Sequence, residues 1–407
     1  MRLNYKRLGD YIEPYNQFNE GMEVKELLGI SNNKYFQNSH TNTIGIDLST
    51  YRVVRTGQFA YNRATTRNGD KISIALRQGE DCIVSPSYRI FKSKDEEVLN
   101  SEYLMMWFRR PEFDRYARFK SHGSAHEFFE WELMCEVELP VPDIEKQREI
   151  VKEYNTIVNR INQNNQLIQK LEETAQTIYK QWFVDFEFPN KEGKPYKSSG
   201  GEMVESELGE VPKGWEVKKI GNEFNVTIGR TPPRLQEEWF NSEMDSMDWI
   251  SIKDIVSCDT YIFNTNETLT KKAVSKFSIP IIPKNTTILS FKMSIGKLAI
   301  TTKEMLSNEA IAHFLITNNT KLSTEYIYCF FDYFKFNKLG TTSSIVDSIN
   351  TKIIKDIDIV VPNKDVMGSF NSIVKKIFEH KKNKELENNK LSKIRKLLLS
   401  KLATIEN

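Results

Sequence analysis

The chain has 407 residues, of which 39% are hydrophobic, 28% charged and 11% aromatic. That composition suits two or three folded domains of about 150 residues each and excludes a wholly disordered polymer. Lys and Arg number 57 against 55 for Asp and Glu, a net charge of +2, so global charge does not announce nucleic acid and only the distribution along the chain can.

The chain opens Met1-Arg2-Leu3-Asn4-Tyr5-Lys6-Arg7, with no apolar core behind its charges, unlike a secretory signal. Nothing resembles a run of about 18 apolar residues, so no membrane-spanning helix is expected. Cys82, Cys135, Cys258 and Cys329 are far apart and form no C-x-x-C pair. A zinc ribbon or disulfide framework is therefore not expected, and a reducing cytoplasm fits.

Arginine is concentrated in the first 120 residues, Arg52, Arg63, Arg67, Arg109 and Arg110 among them, while the rest relies on lysine. The planar guanidinium suits phosphates and guanine edges better than the lysine point charge. In this part Tyr51–Val54, Gly57–Tyr61, Ile72–Ala75 and Tyr88–Phe91 read as short strands. A polar, basic loop runs from Asn62 to Lys71. His122 and His126 have helical metal-pair spacing, but Gly123 and Ser124 stand between them and no further ligand follows at suitable spacing. They read as loop residues, and no metal site is expected.

Val137-Glu138-Leu139-Pro140-Val141-Pro142 alternates like a strand and is closed by proline. The helix after it repeats Ile150, Tyr154, Ile157, Ile161, Asn164, Ile168, Leu171, Ala175, Ile178 and Trp182 in steps of four and three. That is a coiled-coil seam, with Asn164 as its one polar, register-fixing member. Segment 189–214 holds Pro189, Gly193, Pro195, Gly200, Gly201, Pro212 and Gly214 and reads as a linker.

Beyond it, Ile288–Phe291 and Leu298–Thr301 flank a loop, Lys292-Met293-Ser294-Ile295-Gly296-Lys297. Gly296-Lys297 is not a phosphate loop, because that motif needs glycine where Phe291 stands. Ile357-Asp358-Ile359-Val360-Val361-Pro362 then mirrors the strand at 137–142. A second helix follows, with Phe370, Val374, Ile377, Leu391, Leu398, Leu402 and Ile405 apolar. Its middle, 380–390, is polar apart from Leu386, so loose or wet packing is expected there.

The two halves are a diverged repeat. Pro142 matches Pro362, Leu171 matches Leu391, Ile178 matches Leu398 and Trp182 matches Leu402, all at one offset of 220 residues. Lys6-Arg7-Leu8-Gly9 echoes Lys218-Lys219-Ile220-Gly221, and Ser101-Glu102-Tyr103-Leu104 echoes Thr324-Glu325-Tyr326-Ile327. The expected class is α+β. Two mixed α/β domains, 1–145 and 215–365, alternate with two long helices, 146–188 and 366–407, in a pseudo-two-fold tandem repeat. Each helix has an apolar stripe, and antiparallel pairing within the chain buries both. No G-x-S-x-G elbow, glycine-rich dinucleotide loop or Asn-Pro-Pro-aromatic methyltransferase motif occurs, so the chain reads as a binder without catalysis of its own.

Three stretches are familiar. Ser206-Glu207-Leu208-Gly209-Glu210-Val211-Pro212-Lys213-Gly214-Trp215-Glu216-Val217, Gly229-Arg230-Thr231-Pro232-Pro233 followed by Asp248–Ile255, and Ile178–Phe186 resemble type I restriction–modification specificity subunits. The resemblance spans essentially the whole chain and has the same domain order. It implies two DNA target-recognition domains on two conserved antiparallel helices, reading a bipartite, asymmetric site in double-stranded DNA. It also implies two methylation subunits that use S-adenosylmethionine and modify adenine, and two restriction subunits that use ATP and Mg. No cofactor is expected on this chain. A pseudo-two-fold scaffold lets two identical partners dock equivalently.

Loop position and side-chain type select the DNA-contact candidates. They are Arg63, Thr65, Thr66, Arg67, Asn68, Lys71, Lys120, Ser121 and His122 in the first domain. In the second they are Arg230, Thr231, Arg234, Lys292, Ser294, Lys297, Thr341, Thr342 and Ser343. Arg, Lys and Asn address base edges, and hydroxyls reach phosphates or bases. In the loop at 292–297, Met293 and Ile295 interrupt the basic character. The competing expectation is a protein-interaction adaptor with two modules on a coiled-coil spacer and no DNA.

Overall fold

The computed structural model describes residues 5–39, 45–64, 71–121, 127–240, 245–334, 336 and 349–405. The chain divides into two compact units, one of Met1–Ile161 with Lys390–Asn407, the other of Asn162–Asn389.

In the first unit the strands are β1 (Tyr5–Arg7), β2 (Ile12–Tyr15), β3 (Leu28–Ile30), β4 (Phe36–Asn38), β5 (Arg52–Val54), β6 (Phe59–Asn62), β7 (Ile74–Leu76), β8 (Cys82–Val84), β9 (Tyr88–Ser93) and β10 (Glu138–Pro140). The helices are α1 (Ser101–Phe108), α2 (Pro111–Lys120), α3 (Trp131–Cys135) and the first part of α4 (Ile144–Phe183). An antiparallel sheet runs β2-β9-β6-β7. Its side chains alternate between two cores, as a pleat requires. Phe59, Tyr61, Ile74 and Phe91 face an aromatic core that includes Phe108 and Phe113. Ala60, Ala75 and Ile90 face a smaller core with Val54 and Val84. The start of α4 is pinned by the buried Gln147, whose Oε1 accepts from Asn100 N at 2.9 Å while Nε2 donates to Val98 O and Pro142 O.

The second unit contains β11 (Met203–Ser206), β12 (Gly209–Pro212), β13 (Glu216–Lys219), α5 (Ile220–Glu223), β14 (Asn225–Ile228), β15 (Ser246–Ile250), α6 (Ile252–Ser257), β16 (Tyr261–Ile262), β17 (Glu267–Thr270) and α7 (Lys271–Lys276). These are followed by β18 (Thr287–Ser290), β19 (Leu298–Thr301), β20 (Leu306–Ser307), β21 (Ile311–Leu315), α8 (Thr324–Tyr333), α9 (Thr351–Lys355), β22 (Asp358–Val361) and α10 (Lys364–Lys401). A five-stranded sheet, β14-β21-β18-β19-β16, lies beside a three-stranded one, β17-β15-β20.

The repeat read in sequence recurs in each unit's own geometry. In the first, β1 pairs antiparallel with β10, and Leu8 N donates to Val137 O at 2.7 Å. In the second, β13 pairs antiparallel with β22, and Ile220 N donates to Ile357 O at 2.9 Å. Gly9 and Gly221 follow these turns. A Cβ on Gly9 would stand 2.7 Å from Cys135 Cβ, and one on Gly221 2.9 Å from Lys355 Cβ, so close backbone approach demands glycine at both. The α1 and α8 tyrosines also correspond: Tyr103 donates to Pro140 O at 3.0 Å and Tyr326 to Val360 O at 2.7 Å.

Both long helices contribute to both units. In the first, Ile150, Tyr154 and Val158 of α4 share a core with Leu399 and Leu402 near the chain's end. In the second, α4 and α10 run antiparallel: Asn164 Nδ2 donates to Asn388 Oδ1 at 2.9 Å, Glu172 pairs with Lys381, and Trp182 meets Phe370 at 6.0 Å. Of the expected seam, Tyr154, Asn164, Ile168, Ala175 and Trp182 are buried. Ile157, Ile161, Leu171 and Ile178 on α4, and Ile377, Leu391 and Leu398 on α10, are half-buried. Tyr179 and Phe183 join the core although they fall outside the four-and-three count.

Two expectations change. The middle of α10 is not loosely packed: Lys381 and Glu385 are buried, whereas Leu386 is exposed. Glu385 accepts from Thr260 N at 3.2 Å and Tyr261 N at 2.8 Å, capping backbone donors at one end of β16. Nor is 189–214 a plain tether. It carries the β11–β12 hairpin, and Phe188 stacks between Tyr196 and Trp215 at 4.6 and 4.9 Å. Its glycines and prolines are the turn residues of a folded segment.

Candidate nucleic-acid interface

In the first unit, Arg63 sits just beyond β6 and is held on two sides. Its guanidinium lies 4.8 Å above the Phe128 ring and NH1 meets Glu130 Oε1 at 3.0 Å. Thr65, Thr66, Arg67, Asn68 and His122 lie outside the described residues. Lys71 is exposed and reaches Asn33 Oδ1 at 3.4 Å. Lys120, in the last turn of α2, approaches Glu136 at 3.8 Å and the Tyr116 ring at 6.0 Å. Ser121 is buried, and its hydroxyl donates to Ala117 O at 2.6 Å. That bond holds the Ser121 hydroxyl against the last turn of α2.

In the second unit the segment after β14 is braced from below. A Cβ on Gly229 would fall 2.0 Å from Ser307 O, so only glycine lets the chain pass there. Arg230 N then donates to Ser307 O at 2.9 Å, Arg230 O accepts from Trp249 Nε1 at 3.1 Å, and its guanidinium caps Phe277 O at 2.9 Å. Thr231 donates to the Glu309 carboxylate. Arg234 lies 4.5 Å from the Phe240 ring and 4.6 Å from Trp249, and meets Glu267 at 2.6 Å. Beneath, the buried His313 places Nε2 2.7 Å from Ser307 Oγ and Nδ1 3.0 Å from Thr227 Oγ1. Burial pushes its pKa down to about 3, so it stays neutral and serves as a polar strut.

Lys292, Ser294 and Lys297 occupy the β18–β19 turn. Gly296 N donates to Ser290 O and Ser294 N to Lys292 O. Lys292 and Lys297 are exposed, and Met293 is 89% exposed with a positive φ of 62°. Thr341, Thr342 and Ser343 lie outside the described residues.

The brackets around Arg63, Arg230 and Arg234 share one logic. Each arginine rests on an aromatic ring, a carboxylate or a carbonyl that restricts its rotamers before any ligand arrives. Sequence reasoning found the arginines but missed Phe128, Glu130 and Glu267, which are distant in the chain, and Phe240, which lies after Arg234 at no helical spacing. Among the described residues no group of three or more His, Cys, Asp or Glu could hold a metal ion, and no helix is long and apolar enough to cross a membrane.

The family model described as the type I restriction modification DNA specificity domain matches residues 212–396. The chain is similar to the Haemophilus influenzae type I restriction enzyme HindI specificity subunit, 23% identical over 430 aligned positions that cover 92% of this chain and 91% of that one. It is also similar to the Methanocaldococcus jannaschii type I restriction enzyme MjaIX specificity subunit, 24% identical over 311 positions, 74% of this chain and 68% of that one. It shares its fold with the crystal structure of a type I restriction–modification S subunit from M. genitalium. The TM-score is 0.60 at 12% identity, over 100% of this chain and 99% of that one.

Proposed function

We propose, for a chain that belongs to the type I restriction–modification specificity subunits, that each unit reads one half of a bipartite, asymmetric DNA target. The paired helices set the spacing and dock two methylation subunits. The carrying observation is the repeat itself: the same closing strand pair, close-packed glycine and tyrosine bond recur in both units, with unlike loops mounted on them. A repeated frame gives two identical partners equivalent seats, and unlike loops read unlike half-sites.

On this reading the chain is not itself an enzyme. The methylation subunits carry S-adenosylmethionine and modify adenine, and two restriction subunits use ATP and Mg for cleavage. Braced arginines and the lysines of the β18–β19 turn approach the duplex, with phosphates fixing register and base edges giving identity. The relatives named above are all specificity subunits, so the adaptor reading is set aside.

The test is methyl transfer. The purified chain with S-adenosylmethionine should leave DNA unmodified, and adding the methylation subunit should produce adenine methylation at a two-part site, mapped by methylation-sensitive sequencing. Methyl transfer by the chain alone, or no two-part site with the partner present, overturns the reading.

A further inference from the structure

A feature of the first unit extends beyond the recognition segments. A cavity of about 670 Å³ carries six cations on its wall, Lys34, Lys71, Arg109, Arg110, Arg395 and Lys396, and one carboxylate, Glu112. Two of the cations are engaged: Lys34 pairs with Asp114 at 2.7 Å, and Arg110 lies 4.1 Å above Trp107. The other four differ. Among the described residues no carboxylate forms an ion pair with Lys71, Arg109, Arg395 or Lys396, whereas Arg55, Arg63, Arg77, Arg115 and Arg148 of the same unit each have one.

Cations gathered in a concavity repel one another, and a low-dielectric wall focuses their field. The Lys34 ammonium registers this. Burial lowers its pKa, Asp114 opposes the shift, and Lys71 and Arg109 lower it further. Helix-end electrostatics do not account for Arg395 and Lys396, which precede the last residue of α10, Lys401, by more than one turn. Arg109 is also pre-oriented, with its guanidinium 5.6 Å above the Tyr154 ring and NH1 3.4 Å from Tyr154 Oη. A protein partner would need an apolar anchor at the centre of the site, but Arg109 already covers Tyr154. Lys71 is the last residue of the basic segment 62–71 expected to contact DNA, so an anion in the cavity is continuous in sequence with that segment.

We propose that this cavity is a phosphate site that takes the sugar–phosphate backbone of the duplex beside the half-site read by the first unit. It supplies affinity and register without base identity. The inference rests on the specificity-subunit reading and adds Arg109, Arg395 and Lys396 as positioning residues beside Lys71, itself a DNA-contact candidate.

The experiment uses the full chain in complex with its methylation subunits. Binding is measured from 50 to 200 mM salt to two 30-base-pair duplexes, one carrying the mapped target and one of random sequence. The variants are Arg395→Gln with Lys396→Gln, and separately the exposed single change Lys396→Gln, with thermal unfolding to establish folding. Every phosphate that is no longer neutralised should lower the slope of log affinity on log salt by about 0.9, so the double variant should lose about 2. Both duplexes should weaken by the same factor, and the methylated sequence should stay the same. An unchanged slope in a folded variant overturns the site. A changed methylated sequence also overturns it, since the residues would then read bases. So does loss of the methylation subunit with an unchanged slope, since an acidic protein surface would then be the occupant. If the wild-type complex itself has no two-part target, the parent reading fails instead, which separates the two failures.

Discussion

At the scale of single residues, the most informative group is the buried pair on α10. Burial pushes the Glu385 carboxyl up to about 7, against the two backbone donors and Lys381, which pull it down, and burial also lowers the Lys381 ammonium. The sign of the Glu385 contribution follows by linkage. Its folded pKa is raised, so the native state holds a proton that the unfolded chain releases. That contribution is complete below the ordinary carboxylate range and is lost as pH rises toward 7. Glu385→Gln keeps an oxygen acceptor for one of Thr260 N and Tyr261 N, which bond different carboxylate oxygens, and cannot ionise. Thermal unfolding followed from pH 5 to 7.5 should therefore show a smaller fall in melting temperature for the variant than for the parent chain. Equal slopes would mean that Glu385 carries no proton in the native state. The buried His313 acts in the opposite sense: burial lowers its pKa to about 3, so only the unfolded chain takes up its proton and stability falls as pH drops below the ordinary histidine range, equally in parent and variant.

At the scale of elements, the long helices invite a test of spacing. α4 spans 40 residues and α10 spans 38, close to 60 Å each at about 1.5 Å per residue. Asn164 and Asn388 meet across the pair, and Asn388 also donates to Asn165 at 2.7 Å. Amides bonded to each other on an apolar seam fix its register. An insertion in one helix alone would break that bond, so a spacing variant needs four extra residues after Asn164 and, because the helices are antiparallel, four between Glu387 and Asn388. Four residues are near one turn and add about 6 Å, while preserving the facing of the seam. Mapped methylation should show the gap between half-sites longer by one or two base pairs, at about 3.4 Å each, with the bases read unchanged. A constant gap at full activity would show that the helices do not act as the spacer.

At the scale of the whole molecule, the first unit is assembled from both ends of the chain. Tyr5 donates to Ala403 O at 2.9 Å, and Leu402 is buried with Leu139 and Tyr154. A chimera should respect that. Exchanging 1–145 together with 390–407 from a related subunit should change one half of the target, leave the other half intact and keep the melting temperature. Exchanging 1–145 alone should give the same new half-site with a lower melting temperature, since the C-terminal packing is then mismatched. Changes in both halves of the mapped site would mean that the units read DNA jointly.

Much of this was legible in the sequence because it is encoded locally. A heptad depends on neighbours three and four residues away, and it marked α4. A strand closed by proline depends on its own few residues, and it marked β10 and β22. Gly9 and Gly221, and Tyr103 and Tyr326, betrayed the repeat because each pair solves the same steric or hydrogen-bonding problem twice. What only the tertiary structure decided involves residues far apart in the chain. Lys381 and Glu385 read as a solvated middle, yet the ends of backbone strands at Thr260 and Tyr261 need an acceptor that the helix supplies. The glycine-rich stretch at 189–214 read as a tether, yet three aromatic rings from its two ends stack and fold it. Four cations from positions 71, 109, 395 and 396 meet in one cavity, because the chain's end returns to the first unit. No spacing rule announces that convergence, since the charge of a side chain is written in the sequence and the field it shares with others is set only by where the fold puts it.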